Sequence, residues 1–151
     1  MTSKILLRLC IATLAAGAAM IGCTSSSGPP STGVLDYQSS GGLSGNGDGS
    51  ELHVTADRTA RRVTRQGGSQ TATLDAATFN DLRARIEAAQ FTTLEPMYSC
   101  SCADDFVDVV SVQLSDTTYA VSADTSADVP DRLQALIDKV RDVIQQPLDW
   151  H

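Results

Sequence analysis

The sequence Phe106-Val-Asp-Val-Val-Ser-Val-Gln-Leu114, followed by Ser-Asp and then Thr117-Thr-Tyr-Ala-Val-Ser-Ala123, contains two runs of alternating residues. A period of two is typical of β-strands that bury one face. We therefore predict two antiparallel strands joined by a turn at Asp116-Thr117. Asp108 interrupts the apolar parity of the first strand, and nothing in the sequence explains it. The apolar residues that share one parity within each strand are Phe106, Val110, Val112 and Leu114, then Tyr119, Val121 and Ala123.

The segments on either side of this hairpin have helical periodicity instead. Residues 75–90 are predicted to form an amphipathic helix with Asp75 as its N-cap, because small oxygen-bearing side chains are favoured there. A closing helix is predicted to begin near Asp128 and Pro130 and to end before Pro147. The apolar positions are Phe79, Leu82, Ile86 and Ala89 in the first helix, and Leu133, Leu136, Ile137, Val140 and Ile144 in the second.

Four further segments before the first helix are predicted to be extended. They are Val34 to Gln38, residues 51–57 with Leu52, Val54 and Ala56 facing inward, Arg61 to Gln66 around Val63, and Ser69 to Leu74. Strands, helix, hairpin and helix in this order predict an α+β fold. We expect a small antiparallel sheet of about five strands with two helices packed on one face. Aromatic residues are few, and Phe79, Phe91, Phe106 and Tyr119 are predicted to anchor the core.

The first residues of the chain are typical of a bacterial lipoprotein export signal. Lys4 and Arg8 precede a largely apolar run of 13 residues from Leu9 to Ile21, shorter than the roughly 20 residues that span a bilayer. Gly22 precedes Cys23, the expected site of cleavage and lipid attachment. We predict a signal peptide at 1–22, a flexible tether at 23–33, a domain at 34–146 and a tail at 147–151. An uncleaved anchor helix is the alternative.

The charge of the chain argues against anionic partners. Removal of residues 1–22 takes away Lys4 and Arg8, two of the 11 basic residues, and none of the 18 acidic residues, so the formal charge changes from −7 to −9. Nucleic acid and acidic headgroups are poor partners for such a domain. We expect contact with the membrane through the lipid on Cys23, and a monomer.

Two cysteines lie one residue apart in the predicted domain. Once Cys23 is acylated, Cys100 and Cys102 remain in an oxidising compartment, where a disulfide across one residue is the simplest outcome. A redox-active pair and a metal site remain open. A metal would need Asp104, Asp105 or His53 as further ligands.

No catalytic constellation is apparent in the sequence. Ser44 does not lie in a Gly-x-Ser-x-Gly elbow, and His53 is predicted to face solvent. We therefore predict that the protein is not an enzyme and needs no cofactor. Four arginines lie close together in sequence, and we interpret the segment that carries them as a charged edge strand. The alternative is a surface that binds an acidic partner. The four residues are Arg58, Arg61, Arg62 and Arg65.

The segment Asp36-Tyr37-Gln38-Ser39-Ser40-Gly41-Gly42-Leu43-Ser44-Gly45 resembles the opening strand and glycine signature of emfourin, a protein inhibitor of thermolysin-like metalloproteases. Later motifs are also similar to that family, and the resemblance covers roughly residues 34–144. It implies an α+β fold and inhibition of a metalloprotease. The chain differs from that family in its export signal, the glycine-rich insertion at 45–50 and Cys-Ser-Cys. The later motifs are Ala88-Ala89-Gln90-Phe91, Asp105-Phe106, Tyr119-Ala120-Val121 and Pro130-x-x-Leu133-x-x-Leu136-Ile137.

The loop from Ser39 to Gly49 has the composition of a contact loop. It contains five glycines and one apolar residue, Leu43, and glycine permits close approach of another backbone. A protease cleft binds extended peptide and accepts a side chain in a pocket. Leu43 is therefore the residue whose side chain is expected to enter that pocket. The alternative is that Gly41 and Gly42 only turn the chain and Leu43 covers the sheet edge. The predicted protease-binding residues are Ser40, Gly41, Gly42, Leu43 and Gly45.

The sequence thus predicts a lipid-anchored inhibitor that occludes the cleft of a thermolysin-like metalloprotease. The alternative is an envelope lipoprotein that serves as a binding or structural module and inhibits nothing, and an enzyme or redox protein ranks third. Thr24, which follows the lipidated cysteine, is not the aspartate that retains lipoproteins at the inner membrane. We therefore expect the periplasmic face of the outer membrane or the cell surface if the host is Gram-negative.

Overall fold

The fold is taken from a computed structural model, which describes residues 33–41, 49–63, 68–102 and 105–151. These residues form seven strands, two α-helices and a single 3₁₀ turn at Phe91–Thr93. The helices are α1 (Ala76–Ala89) and α2 (Asp131–Gln145). The strands are β1 (Gly33–Gly41), β2 (Ser50–Thr55), β3 (Thr59–Val63), β4 (Ser69–Thr73), β5 (Met97–Tyr98), β6 (Phe106–Leu114) and β7 (Thr117–Asp124).

All seven strands belong to one sheet in the order β4-β3-β2-β1-β6-β7-β5. Neighbouring strands are antiparallel except for β5 and β7, which run parallel over two residue pairs. The α+β class is therefore confirmed, and the expected count of about five strands is too low. One reason is β5, since two residues are too few to show an alternating pattern.

The sheet buries one face, as the alternation in the sequence requires. In the middle of the sheet, Tyr37 of β1 lies opposite Leu52 of β2 and Val110 of β6, and all three side chains are buried. Directly opposed residues point to the same side of an antiparallel sheet. These side chains form one core with the apolar faces of α1 and α2. Asp36 and Gln38, which flank Tyr37 in sequence, lie on the other face and are exposed.

Both predicted helices are confirmed, with bounds close to those expected. The Asp75 carboxylate caps α1 by accepting hydrogen bonds from the Thr78 amide and hydroxyl, both at 2.8 Å. Polar contacts also join the two helices: Lys139 of α2 pairs with Asp81 of α1 at 2.8 Å, and Arg132 donates to the Ala89 carbonyl at 2.9 Å. Neither helix in the described part of the chain is long and apolar enough to span a membrane.

The hairpin between β6 and β7 turns one residue earlier than predicted. Leu114 pairs with Thr117, so the two turn residues are Ser115 and Asp116, and Ser115 has a φ of 55°. In the earlier meander, Ala56 lies in the turn after β2 and not on the strand. Both errors arise because an alternating pattern places strand ends less well than strand centres.

The aromatic core differs from the prediction. Phe79 and Phe91 are buried as expected, but Phe106 and Tyr119 are only half-buried because they lie near opposite ends of the hairpin. Tyr37, which was not predicted to anchor the core, is 3% exposed. In α2, Val143 is fully buried while the predicted Ile144 packs at the margin of the core.

The strand that carries Arg61 and Arg62 is not an edge strand, so that interpretation is wrong. β3 lies between β2 and β4, and the Arg62 guanidinium packs over the Trp150 ring at 4.2 Å. The same guanidinium donates a hydrogen bond to the Ile144 carbonyl at 2.6 Å. This carbonyl lies at the C-terminal end of α2, where the helix dipole favours a cation. Arg65 lies outside the described residues.

Residues 147–151 cover the edge of the sheet beside β4. The His151 amide donates to the Thr71 carbonyl at 3.0 Å, and the Thr71 amide donates to the His151 carbonyl at 2.9 Å. Leu148 and Trp150 of this segment pack against the core. The predicted tail therefore supplies backbone partners to an edge strand, which would otherwise be open to pairing with another chain.

The end of α1 gives a stability prediction. Gln90 caps this helix in the left-handed region, with φ 52° and ψ 57°, a conformation that glycine adopts without steric cost. We expect Gln90→Gly to increase the free energy of unfolding in urea by about 1 kcal/mol.

The matched control is Ala84→Gly, the same new residue at an exposed site within α1. There glycine should reduce the free energy of unfolding by about 1 kcal/mol. A loss of stability in both variants would contradict the role assigned to the Gln90 backbone.

Candidate functional site

The predicted contact loop emerges from one end of the sheet. β1 ends at Gly41, which pairs with Phe106 at the start of β6, and β2 begins at Ser50, which pairs with Ser39. Ser40 and Gly41 therefore belong to the stem of the loop. Gly42, Leu43 and Gly45 lie outside the described residues, as do Cys23 and the predicted signal peptide.

Two glycines are required by the close approach of backbones at this stem. Gly41 has a φ of +136°, and a Cβ atom there would lie 2.6 Å from the Asp105 carbonyl oxygen. A Cβ atom at Gly49 would lie 2.8 Å from the Ser39 carbonyl oxygen. Both distances are too short for a side chain. The glycine at position 41 therefore has a structural reason that needs no binding partner.

Asp105 organises the backbone next to this stem. Its carboxylate accepts hydrogen bonds from the Phe106 amide at 2.9 Å, the Ser126 amide at 2.8 Å and the Thr125 hydroxyl. The Thr125 hydroxyl, followed by the Ser126 amide, lowers the pKa of the Asp105 carboxyl below its ordinary value of 3.8. Asp105 thus joins the start of β6 to the turn after β7.

Cys100 and Cys102 lie beside Asp105 and are bonded to each other as a disulfide. The Cys100 amide donates to the Asp124 carboxylate at 2.9 Å, and the Cys100 Sγ lies 3.3 Å from Asp105 Oδ2. Of the three possible further metal ligands, only Asp105 is brought to the cysteines in the described part of the chain. His53 lies on the open face of the sheet, where it contacts Asp36, and Asp104 is outside the described residues.

A buried carboxylate lies on the inner face of the sheet near the same end. Asp108 is 2% exposed and accepts a hydrogen bond from the Tyr37 hydroxyl at 2.8 Å. Arg141 of α2 donates to the other carboxylate oxygen at 2.5 Å, and its Nε lies 3.4 Å from the Tyr37 oxygen. This cluster of three explains the polar residue that interrupts the apolar parity of β6.

Sequence reasoning missed this cluster because its members are separated by up to 104 positions along the chain. The sequence contains one signal for the cluster. Asp108 is an acidic residue at a position whose parity predicts burial, and Arg141 lies on a helix with apolar periodicity. Burial raises the pKa of Tyr37 above its usual value of 10.0, the hydrogen bond with Arg141 opposes this, and the charge of Asp108 adds to it. The phenol therefore remains a donor to Asp108 at neutral pH.

Above this cluster lies a small polar cavity of about 180 Å³. Ser39 and Ser50 form one wall and belong to the loop stem, while Arg141 and Gln145 of α2 form another. Phe106 closes a third side. A larger and more apolar cavity of about 310 Å³ lies at the other end of β1 and β6, between Val34, Leu114 and α1, away from Ser39, Gly41 and Ser50.

Comparison with known proteins does not identify the chain. No protein-family model matches it, and no curated protein matches it significantly.

The buried cluster gives a prediction about stability. In Arg141→Met the Asp108 carboxylate loses its counter-ion while it stays buried, so we expect the free energy of unfolding to fall by about 3 kcal/mol. Asp108→Asn should cost less, about 1–2 kcal/mol, since Arg141 is 36% exposed and can turn toward water. The double variant should lose less than the sum of the two single losses.

Urea unfolding of the four proteins measures this coupling, and additive losses would contradict it. Arg83→Met is the control, because the Arg83–Glu87 pair lies 3.9 Å apart on the surface of α1 with both side chains more than half exposed. A surface pair of this kind contributes about 0.3–0.5 kcal/mol.

The hydrogen bonds at Asp105 give a prediction about pH. Because its pKa is lowered in the folded state, its ionised form contributes stability that is complete above pH 3.8 and is lost as the pH falls through the lower folded value. Thr125→Val removes the first donor, so the pKa of Asp105 should rise toward 3.8. The variant should then lose less stability on acidification than the wild type.

An NMR titration of the side-chain carboxyl carbons measures this pKa directly. Asp75 is the internal control, because its pKa is lowered by Thr78 at the start of α1 and should not change. An unchanged Asp105 pKa in Thr125→Val would contradict the role given to this hydroxyl.

Proposed function

We propose that this chain is a lipid-anchored inhibitor of a thermolysin-like metalloprotease in a bacterial cell envelope, similar to emfourin and without catalysis of its own. Signal cleavage before Cys23 and acylation of its thiol would attach the domain to the membrane through the segment that leads into β1. The inhibitory contact is assigned to the loop that begins at Ser40 and Gly41 and continues through Gly42, Leu43 and Gly45.

The observation that carries this proposal is the packing at both stems of the loop. Gly41 lies against the backbone of Asp105 and Phe106, and Gly49 lies against the Ser39 carbonyl. Both stems are further paired in the sheet, since Ser40 lies opposite Val107 and Ser50 opposite Ser39. A loop held at both ends by a rigid scaffold has less conformational entropy to lose on binding, which favours affinity.

The mechanism follows from how a protease cleft binds its substrate. Such a cleft pairs with extended backbone and accepts a side chain in a pocket. Glycines on both sides of Leu43 would let the loop backbone approach the cleft closely, while Leu43 would fill an apolar pocket. The loop would block access of the substrate to the zinc without donating a ligand to it.

The second candidate is a non-inhibitory envelope lipoprotein that serves as a binding or structural module. The observation that favours it is the steric reason for Gly41, because it accounts for one glycine of the signature without any partner. The two candidates differ in one measurable property, the stoichiometric loss of protease activity.

The test is a titration of the full chain, purified in detergent, into a thermolysin-like protease with a short synthetic peptide as substrate. The wild type should abolish activity at equimolar ratio. Leu43→Asp should weaken inhibition by about thirtyfold or more, as expected for an apolar anchor in a pocket. Its melting temperature should stay close to that of the wild type.

Ala77→Asp is the matched control, since it introduces the same charge at an exposed site in the first turn of α1, where an acid is favourable. It should inhibit as the wild type does. Equal inhibition by Leu43→Asp would refute the loop assignment. A wild-type chain that stays intact and leaves the protease active at micromolar excess would refute the inhibitor proposal and favour the binding module.

A further inference from the structure

We infer that Cys100, Cys102 and Asp105 form a redox-gated site for a thiophilic divalent cation, with Zn²⁺ as the probe. Reduction of the disulfide would release two sulfur ligands beside a carboxylate that is already in place. This inference is independent of the proposed inhibitory function, since it concerns the segment between β5 and β6 and not the glycine-rich loop.

The three ligand side chains lie side by side, and reduction would let the two sulfurs, which are bonded to each other, move apart to separate coordination positions. The two Sγ atoms and a carboxylate oxygen of Asp105 are all within 4.8 Å of one another. Tetrahedral zinc has Zn–S distances of about 2.3 Å and Zn–O distances of about 2.0–2.2 Å, which place sulfur and oxygen ligands about 3.5 Å apart. The Cys100 Sγ lies 3.3 Å from Asp105 Oδ2, so this edge of the coordination polyhedron needs little movement.

Asp105 is held in place for this role by other contacts. Its Oδ1 accepts from the Phe106 amide and the Thr125 hydroxyl, while Oδ2 accepts from the Ser126 amide at 2.8 Å. A carboxylate has about four acceptor positions, so one on Oδ2 remains for a cation next to Cys100. Hydrogen bonds that orient a ligating carboxylate are a general requirement of tight metal sites.

The local charge also favours a cation. Asp124 accepts a hydrogen bond from the Cys100 amide at 2.9 Å, so a second carboxylate lies next to this segment. Neither carboxylate forms an ion pair with Lys or Arg among the residues that the structure describes. A divalent cation would offset the negative charge of the thiolates and the carboxylate together.

Reduction of the disulfide would precede metal binding. A dithiol reductant exchanges with the disulfide, so that it is oxidised to its own disulfide while Cys100 and Cys102 each gain a proton and become thiols. Zn²⁺ then binds the two sulfurs and Asp105 and releases the two thiol protons. Water completes the fourth position. The oxidised form has no thiolates to offer and should not retain zinc.

The experiment uses the full chain in detergent with Cys10→Ser and Cys23→Ser, so that Cys100 and Cys102 are its remaining cysteines. Zinc binding is measured by competition with a chromogenic chelator, before and after reduction by a phosphine. The phosphine takes up the oxygen of water and supplies no competing thiol. The reduced protein should bind one zinc at least tenfold more tightly than the oxidised protein.

Three variants test the ligand set in the reduced state. Cys100→Ser and Asp105→Asn should each weaken zinc affinity at least tenfold, while Asp116→Asn, at the exposed turn of the β6–β7 hairpin, should leave it unchanged. Cobalt substitution gives a second readout, because thiolate coordination produces a charge-transfer absorption that Cys100→Ser should weaken. Circular dichroism checks that Asp105→Asn remains folded.

If the reduced protein binds zinc no more tightly than the Cys100→Ser variant does, the proposed metal site is wrong. Normal binding by folded Asp105→Asn would overturn the carboxylate ligand. Either result would leave the inhibition assay unaffected, so failure of the metal site and failure of the proposed inhibitor can be told apart.

Discussion

The arrangement of the fold depends on a buried ion pair between the centre of the sheet and the last helix. Asp108 lies on β6 among apolar neighbours, and burying an unpaired carboxylate costs several kcal/mol. The cost is offset because Tyr37 from β1 and Arg141 from α2 both donate to it. A slip of β6 by one residue would move Asp108 to the open face and its apolar neighbours into water. The pair therefore helps to select one register of the sheet and one position of α2.

The same cluster supports the end of the sheet from which the glycine-rich loop emerges. Asp108 lies opposite Ser39 in the sheet, and Ser39 in turn lies opposite Ser50 at the other stem of the loop. The small cavity above Arg141 separates these stems from the end of α2. On the outer side, the Asp105 carbonyl lies against Gly41, and the Asp105 carboxylate binds the turn after β7. The stems are therefore held by their pairing within the sheet and, at Gly41, by the backbone of the segment that follows the disulfide.

The sequence predicts those parts of this arrangement that depend on local pattern. Alternation in β6 and β7 and the three-to-four spacing in α1 and α2 identify the elements, and Asp75 marks the start of α1 because its capping bonds are local. The prediction fails where partners are distant in sequence. The contact between Asp108 and Arg141, the bridge from Thr71 to His151, and the parallel strand β5 all depend on tertiary packing, which a single sequence does not display. The interior position of β3 was missed for the same reason.

The edges of the sheet bear on how a partner could bind. Addition of a strand beside β4 would require displacement of His151, whose amide and carbonyl already pair with Thr71. At the other edge, β5 is only two residues long, and Met97 there is 65% exposed. The open face carries polar side chains such as Asp36 and His53, which contact each other and remain partly solvated. Strand addition at the β4 edge is therefore blocked by residues 147–151 of the chain itself, and the β5 edge offers only two residues for pairing.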